Sequence, residues 1–168
     1  MKKQLLTIAL CLPLMLSLAG CGGQRAYTVG QSIPDGAITE FYYTYENINF
    51  NASYLRYHFY REDGKPLLSF ERRERPNDYG PATAKDVVAA GTVGLSEAAW
   101  SEFLASLRGG TVTKRTDDAA SGGAGPWLYL NCTGDRSDWQ VFSFPSVEKR
   151  TAFEAFCASL EAEADAES

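Results

Sequence analysis

The sequence predicts an α+β fold, an antiparallel sheet of about six strands with two helices on one face, and three observations carry that expectation. Apolar and aromatic residues alternate with polar ones over Ile38–Glu46 and Tyr54–Arg61, the period of two expected of half-buried strands. Two later segments each carry one apolar stripe at i, i+3, i+4, i+7: Trp100, Phe103, Leu104 and Leu107, then Phe153, Phe156, Cys157 and Leu160. The order is three strands and a helix, then three strands and a helix, which suggests a β-β-β-α unit used twice.

The first strand sets Phe41, Tyr43 and Tyr45 against Glu40, Tyr42 and Thr44. The second sets Leu55, Tyr57 and Phe59 against Tyr54, Arg56, His58 and Tyr60. Asp63-Gly64 is a two-residue hairpin signal, because both turn positions need positive φ. Leu67–Arg72 follows as a third strand, and 73–94, with its Pro, Gly and mixed charge, reads as a long connection. Ser96 can accept from the free amides of a first helical turn. Leu95 and Trp100 stand at staple positions, and Gly109-Gly110 ends the helix. Thr111–Thr116 is a short strand and Asp117–Gly125 a loop. Trp127–Cys132 and Trp139–Phe144 make a second hairpin, and Ser146 caps the last helix. The domain is expected over 38–160. The acidic 161–168 reads as a tail that frays, since negative charge at a helix C-terminus opposes the macrodipole.

The N-terminus carries an address. Met1-Lys2-Lys3 is a short positive segment, and Leu5–Leu18 is apolar apart from Thr7, Pro13 and Ser17. That run is too short for a spanning helix of roughly 20 residues and reads as a secretory h-region. It ends in Leu18-Ala19-Gly20-Cys21, followed by Gly22-Gly23. Here the chain resembles the bacterial lipoprotein signal, whose box is a Leu, two small residues and a Cys. The resemblance covers 1–21 and implies removal of 1–20, with lipid on Cys21 holding the protein to the extracytoplasmic face of a cell membrane or outer membrane. Two or more acyl chains make such an anchor stable. Residues 21–37, rich in Gly and polar side chains, then read as a lipid-anchored tether. The domain behind it is similar to small uncharacterised lipoproteins of anaerobic gut bacteria, a likeness without a functional motif, from which no activity carries over.

Charge narrows the partners. The 16 basic side chains, 14 once Lys2 and Lys3 leave, face 21 acidic ones. An acidic chain of this kind suits neither nucleic acid nor anionic lipid through electrostatics. A single histidine rules out any site built from two, and no C-x-x-C is present, so no metal and no cofactor is expected. There is no G-x-S-x-G, H-E-x-x-H or Walker loop. His58 is the only imidazole base available and reads as a solvent-facing sheet residue. Cys132 and Cys157 remain in an exported, disulfide-permissive chain. Cys132 shares parity with Leu128 and Leu130, and Cys157 lies on the second helical stripe, so a bridge between them is predicted; two buried free thiols are the alternative.

Aromatic density is the remaining signal. Nine of the twenty residues from Phe41 to Tyr60 are aromatic. Parity places Tyr42, Tyr54 and Tyr60, with Trp127, Tyr129 and Trp139, on the face turned away from the helices. Rings with polar tips on a rigid sheet suit sugar and protein recognition, although aromatics are also simply good strand formers. The expected function is therefore a non-catalytic binding or interaction module that takes a glycan or an envelope protein. A structural assembly protein is the alternative, and a hydrolase a distant third.

Overall fold

The computed structural model describes residues 25–114, 127–133 and 139–167, with the side chains of Trp127, Trp139 and 165–167 outside that description. Cys21 and the signal segment, the whole 117–125 loop and the 134–138 turn also lie outside the described residues. The architecture is α+β: one eight-stranded antiparallel sheet and two helices. In chain order the elements are β1 (Ala26–Thr28), β2 (Ile38–Asn47), β3 (Ala52–Glu62), β4 (Lys65–Arg75) and β5 (Val87–Gly94). There follow α1 (Glu97–Leu107), β6 (Thr111–Lys114), β7 (Trp127–Cys132), β8 (Trp139–Ser143) and α2 (Val147–Glu167). Across the sheet the order is β1-β6-β8-β7-β2-β3-β4-β5. Among the described residues no helix is long and apolar enough to cross a membrane.

Sequence periodicity explains the centre. Phe41 stands opposite Phe59, and Tyr43 opposite Tyr57, so one face of β2 and β3 is continuously aromatic. Asp63 and Gly64 both take positive φ, 50° and 78°, which matches the twist of the β3–β4 hairpin. Phe59 stacks on Phe103 of α1 at 4.1 Å between centroids, and Phe41 meets Phe153 of α2 edge-on at 5.4 Å. Both helices therefore cover the same face. The Ser96 hydroxyl accepts from the Ala99 amide at 3.1 Å, and that of Ser146 from Lys149 at 3.2 Å, so both expected caps form.

Two strands beyond the expected six belong to the sheet, and the β-β-β-α repeat does not hold. The first arises in the supposed tether. Ala26–Thr28 pairs with β6, Val29 and Ile33 are fully buried, and the Val29 amide donates to the Gly110 carbonyl at 2.9 Å. The second arises in the supposed connection, where Val87–Gly94 pairs with β4 along its length. Gly91 lies under the Phe70 ring, 2.9 Å from the position a Cβ would take, so only glycine fits that strand position. The outer edge of β5 closes the sheet without a charged residue, and Val88 is 55 % exposed.

The acidic end is not a frayed tail either. Helix α2 continues to Glu167, and Glu161 is only 5 % exposed. Its carboxylate accepts from the Tyr57 hydroxyl at 3.1 Å and from the Arg72 guanidinium at 2.6 Å. One turn pair earlier the Tyr43 hydroxyl donates to Glu154. Burial, with the adjacent carboxylates, pushes both phenols well above their ordinary range.

Cys132 and Cys157 are buried, and the expected bridge between them is not formed. Cys132 stands opposite Ile38 on β2, while the α2 residues on either side of Cys157, Glu154 and Glu161, bond to the Tyr43 and Tyr57 hydroxyls, which belong to one cross-strand pair. Five strand residues separate those levels, roughly 16 Å at strand rise. A disulfide tolerates Cα atoms no more than about 7 Å apart. Shared burial in one layer was not enough. Burial pushes the Cys157 thiol up, and the carboxylates of Glu154 and Glu161 add to it.

Candidate functional site

Alternation that feeds the core on one side leaves an opposite face that no helix covers. Tyr42, Tyr54, Tyr60 and Tyr129 all carry the parity of that face and are half-buried there. The backbone places Trp127 opposite Thr44 and Trp139 opposite Lys114, and their side chains lie outside the described residues. Four of the six expected aromatics are thus located.

Register brings three of the four together. Tyr42 stands opposite His58 on one side and Tyr129 on the other. Its ring stacks on His58 at 4.1 Å with 9° between planes, and His58 stacks on Tyr60 at 4.4 Å. The Arg56 guanidinium lies 5.0 Å over the other side of Tyr42, so Tyr60, His58, Tyr42 and Arg56 form one continuous pile. Tyr54 stands apart, beneath Arg73, which is itself paired with Glu71.

Glu40 anchors the end of this pile. It accepts from the Asn131 amide at 2.9 Å and from the Tyr42 hydroxyl at 3.3 Å. His58 Nε2 is 3.8 Å from it, beyond hydrogen-bond range, and is buried without a partner. Burial lowers the His58 pKa, and Arg56 lowers it further, while the Glu40 charge works the other way. Burial is also the main reason the Tyr42 phenol is raised, with Glu40 adding and Arg56 opposing. The sequence reads His58 as a solvent-facing sheet residue; on that face it is half-buried, clamped between two tyrosines. Ser69 stands opposite it on β4, but no hydrogen bond joins the two. A nucleophile–base contact of the usual kind is therefore not made among the described residues.

This clamp has a pH signature. A folded-state pKa below the ordinary ~6.5 means the native state binds the proton less readily than the unfolded chain. Stability from this group is complete above about pH 6.5, is lost as pH falls toward the lower native value, and changes no further below it. The thermal midpoint between pH 7.5 and pH 5 should fall further for the wild-type chain than for His58→Gln. Equal slopes would mean that the imidazole titrates freely.

Beside the pile lies a cavity of about 250 Å³ lined by Tyr42, Thr44, Arg56, Tyr129, Asn131 and Gln140. A second, of about 240 Å³, flanks Arg56 on its other side against Ser69 and Glu71. A larger one of about 510 Å³ opens on the helix side between Asp35, Arg61, Glu97 and Trp100. Its charges satisfy each other: Arg61 pairs with Glu97 at 2.8 Å and covers Trp100, and Asp35 pairs with Arg108 at 2.6 Å. The sheet-face cavity is different, offering two rings, two amides, a hydroxyl and a guanidinium. Thr44, Arg56, Asn131 and Gln140 were missed as site residues. Parity alone could have offered Arg56 and Asn131, but the β2–β7 neighbourhood is not written in local sequence. No protein-family model matches this chain, and comparison with curated proteins and with solved structures gives no match.

Proposed function

We propose that this protein is a membrane-anchored, extracytoplasmic, non-catalytic recognition module whose helix-free sheet face takes a glycan or a partner protein. The observation that supports it is the meeting of Tyr42 and Tyr129 from distant parts of the chain in one polar-rimmed cavity on the face left bare by both helices. Stacked rings present large contact area at low entropic cost. The Leu18-Ala19-Gly20-Cys21 box supports the anchor. With β1 beginning at Ala26, only the four residues 22–25 separate Cys21 from the sheet, a reach of at most ~17 Å including both links. The domain then sits against the bilayer rather than on a long leash.

One experiment tests both halves. Wild-type, Cys21→Ser and Tyr42→Ala/Tyr129→Ala chains are expressed, fractionated and used to capture envelope glycans and proteins. The Cys21→Ser chain should leave the membrane fraction almost entirely. The double variant should stay anchored and lose roughly 2 kcal/mol or more of binding. A Cys21→Ser chain that remains processed and membrane-bound, or a double variant that binds at full strength, overturns the corresponding half.

The uncharged outer edge of β5 favours a second reading, an assembly protein that pairs edge to edge with another copy, because edge strands are ordinarily protected by charge, Pro or bulges. Sedimentation of the same wild-type preparation decides it: a dimer dissociated by Val88→Lys carries this reading, and a monomer removes it.

A further inference from the structure

We infer that the cavity between Tyr42 and Tyr129 is a subsite for a carboxylate-bearing sugar residue, whose carboxylate is taken by Arg56. This rests on the reading of the sheet face as a recognition surface and names the ligand class that surface selects.

Charge pairing leaves Arg25 and Arg56 among the described arginines, and of the two only Arg56 lines this cavity. Arg61, Arg72, Arg73, Arg75, Arg108 and Arg150 each pair with a carboxylate. Arg56 is exposed and makes no ion pair among the described residues. Glu71 stands directly opposite it on β4, the natural partner by register, yet its carboxylate is bound to Arg73. An arginine passed over by its own cross-strand neighbour keeps its donors for something else.

That guanidinium is also held in place. Lying over the Tyr42 ring at 5.0 Å, it sits on the end of the stacked pile rather than waving in solvent. A guanidinium held over a ring makes no hydrogen bond to it, so its N–H fork remains for a carboxylate in a two-pronged hydrogen bond. Pre-ordering lowers the entropy lost on binding.

The remaining walls suit a sugar ring. The volume, about 250 Å³, lies below the ~300 Å³ at which drug-sized sites begin, so it has room for one ring rather than a folded peptide. Tyr129 lines the cavity with aromatic surface for the C–H bonds of a pyranose, while Tyr42, its faces taken by His58 and Arg56, contributes its ring edge and hydroxyl. Thr44, Asn131 and Gln140 offer donors and acceptors to its hydroxyls. Glu40 fixes two of the lining residues, accepting from the Asn131 amide and the Tyr42 hydroxyl. One guanidinium beside a ring-sized cavity selects one carboxylate on the ring that enters it.

The test uses the full-length chain in detergent micelles with trigalacturonic acid and its trimethyl ester, which differ only in the charge on each ring. Calorimetry should show the acid bound at least about tenfold more tightly than the ester, the scale of one charge-assisted pair. Arg56→Gln should bring the acid down to the level of the ester, and Arg56→Lys should recover only part of the preference, since a point charge lacks the fork. Equal binding of acid and ester by wild type, or a preference that survives Arg56→Gln, overturns the inference. A triglutamate peptide bound as tightly as the acid overturns the sugar assignment. If acid and ester bind alike and Tyr129→Ala weakens both, the acidic subsite falls and the recognition face stands. If wild type binds neither sugar, the subsite falls, and the capture experiment with the tyrosine double variant decides the face separately.

Discussion

Phe41→Ala should cost the fold about 3–5 kcal/mol, the loss typical of deleting a fully buried aromatic ring. The ring has no exposed surface and meets four others: Phe103 on α1, Phe153 on α2, and Phe142 and Phe144 at the end of β8. It is therefore a common support for both helices and for the second half of the sheet. A void there cannot be closed by shifting one helix without parting it from its other contacts, so the cavity cost adds to the lost transfer energy. Urea unfolding should show the midpoint falling with the slope unchanged. A loss below about 1 kcal/mol would mean that the helices settle into the gap and that Phe41 is not their common support.

The second large effect belongs to Glu161. Glu161→Ala should destabilise by about 2 kcal/mol, because it leaves the Tyr57 hydroxyl without its acceptor inside the core. Breaking a fully buried ion pair costs more, typically 3–5 kcal/mol. Here the Arg72 side chain is 45 % exposed, so water takes over its charge and the smaller figure applies. Glu161→Gln keeps an acceptor for Tyr57 and should lose only about half as much. An alanine variant as stable as wild type would return Glu161 to the role of an idle tail residue.

Both residues mark how far the sequence could be read. Phe41 was legible because strand alternation and helical stripes are local patterns, and β2, β3, β4, α1, α2 and both serine caps follow from them. Glu161 was not, because an acidic residue in an acidic tract looks solvated until a distant tyrosine and arginine are placed beneath it. The third strand, expected to end at Arg72, runs on to Arg75, with Arg72 reaching the helix side and Glu71 and Arg73 pairing on the open face. β1 is three residues long and sits among glycines, too short to show a period. β5 reads as a loop because Val-Val-Ala-Ala-Gly-Thr-Val-Gly has no polar alternation, and its fit depends on the Phe70 ring above Gly91. At the candidate site, parity found the tyrosines on the bare face. It could not find which of them meet, since that depends on pairing between segments such as Glu40 and Asn131, 91 residues apart. The disulfide failed on the same missing quantity, the register along the strand.

That β2–β7 seam also sets the order in which the molecule can be made. A nascent chain is delivered from its N-terminus, so β2 to β5 can zip up by consecutive pairing and α1 can settle on them while the rest is still arriving. The free edge of β2, and the side of Phe41 and Phe59 that α2 will cover, stay open until β7 and α2 follow. Closing contacts of such long sequence separation is slow relative to hairpin formation. During that interval the growing chain shows an unpaired strand edge beside bare aromatic rings, the kind of surface that holdase chaperones and proteases recognise. The last third of the sequence is thus the part that ends the chain's exposure to them.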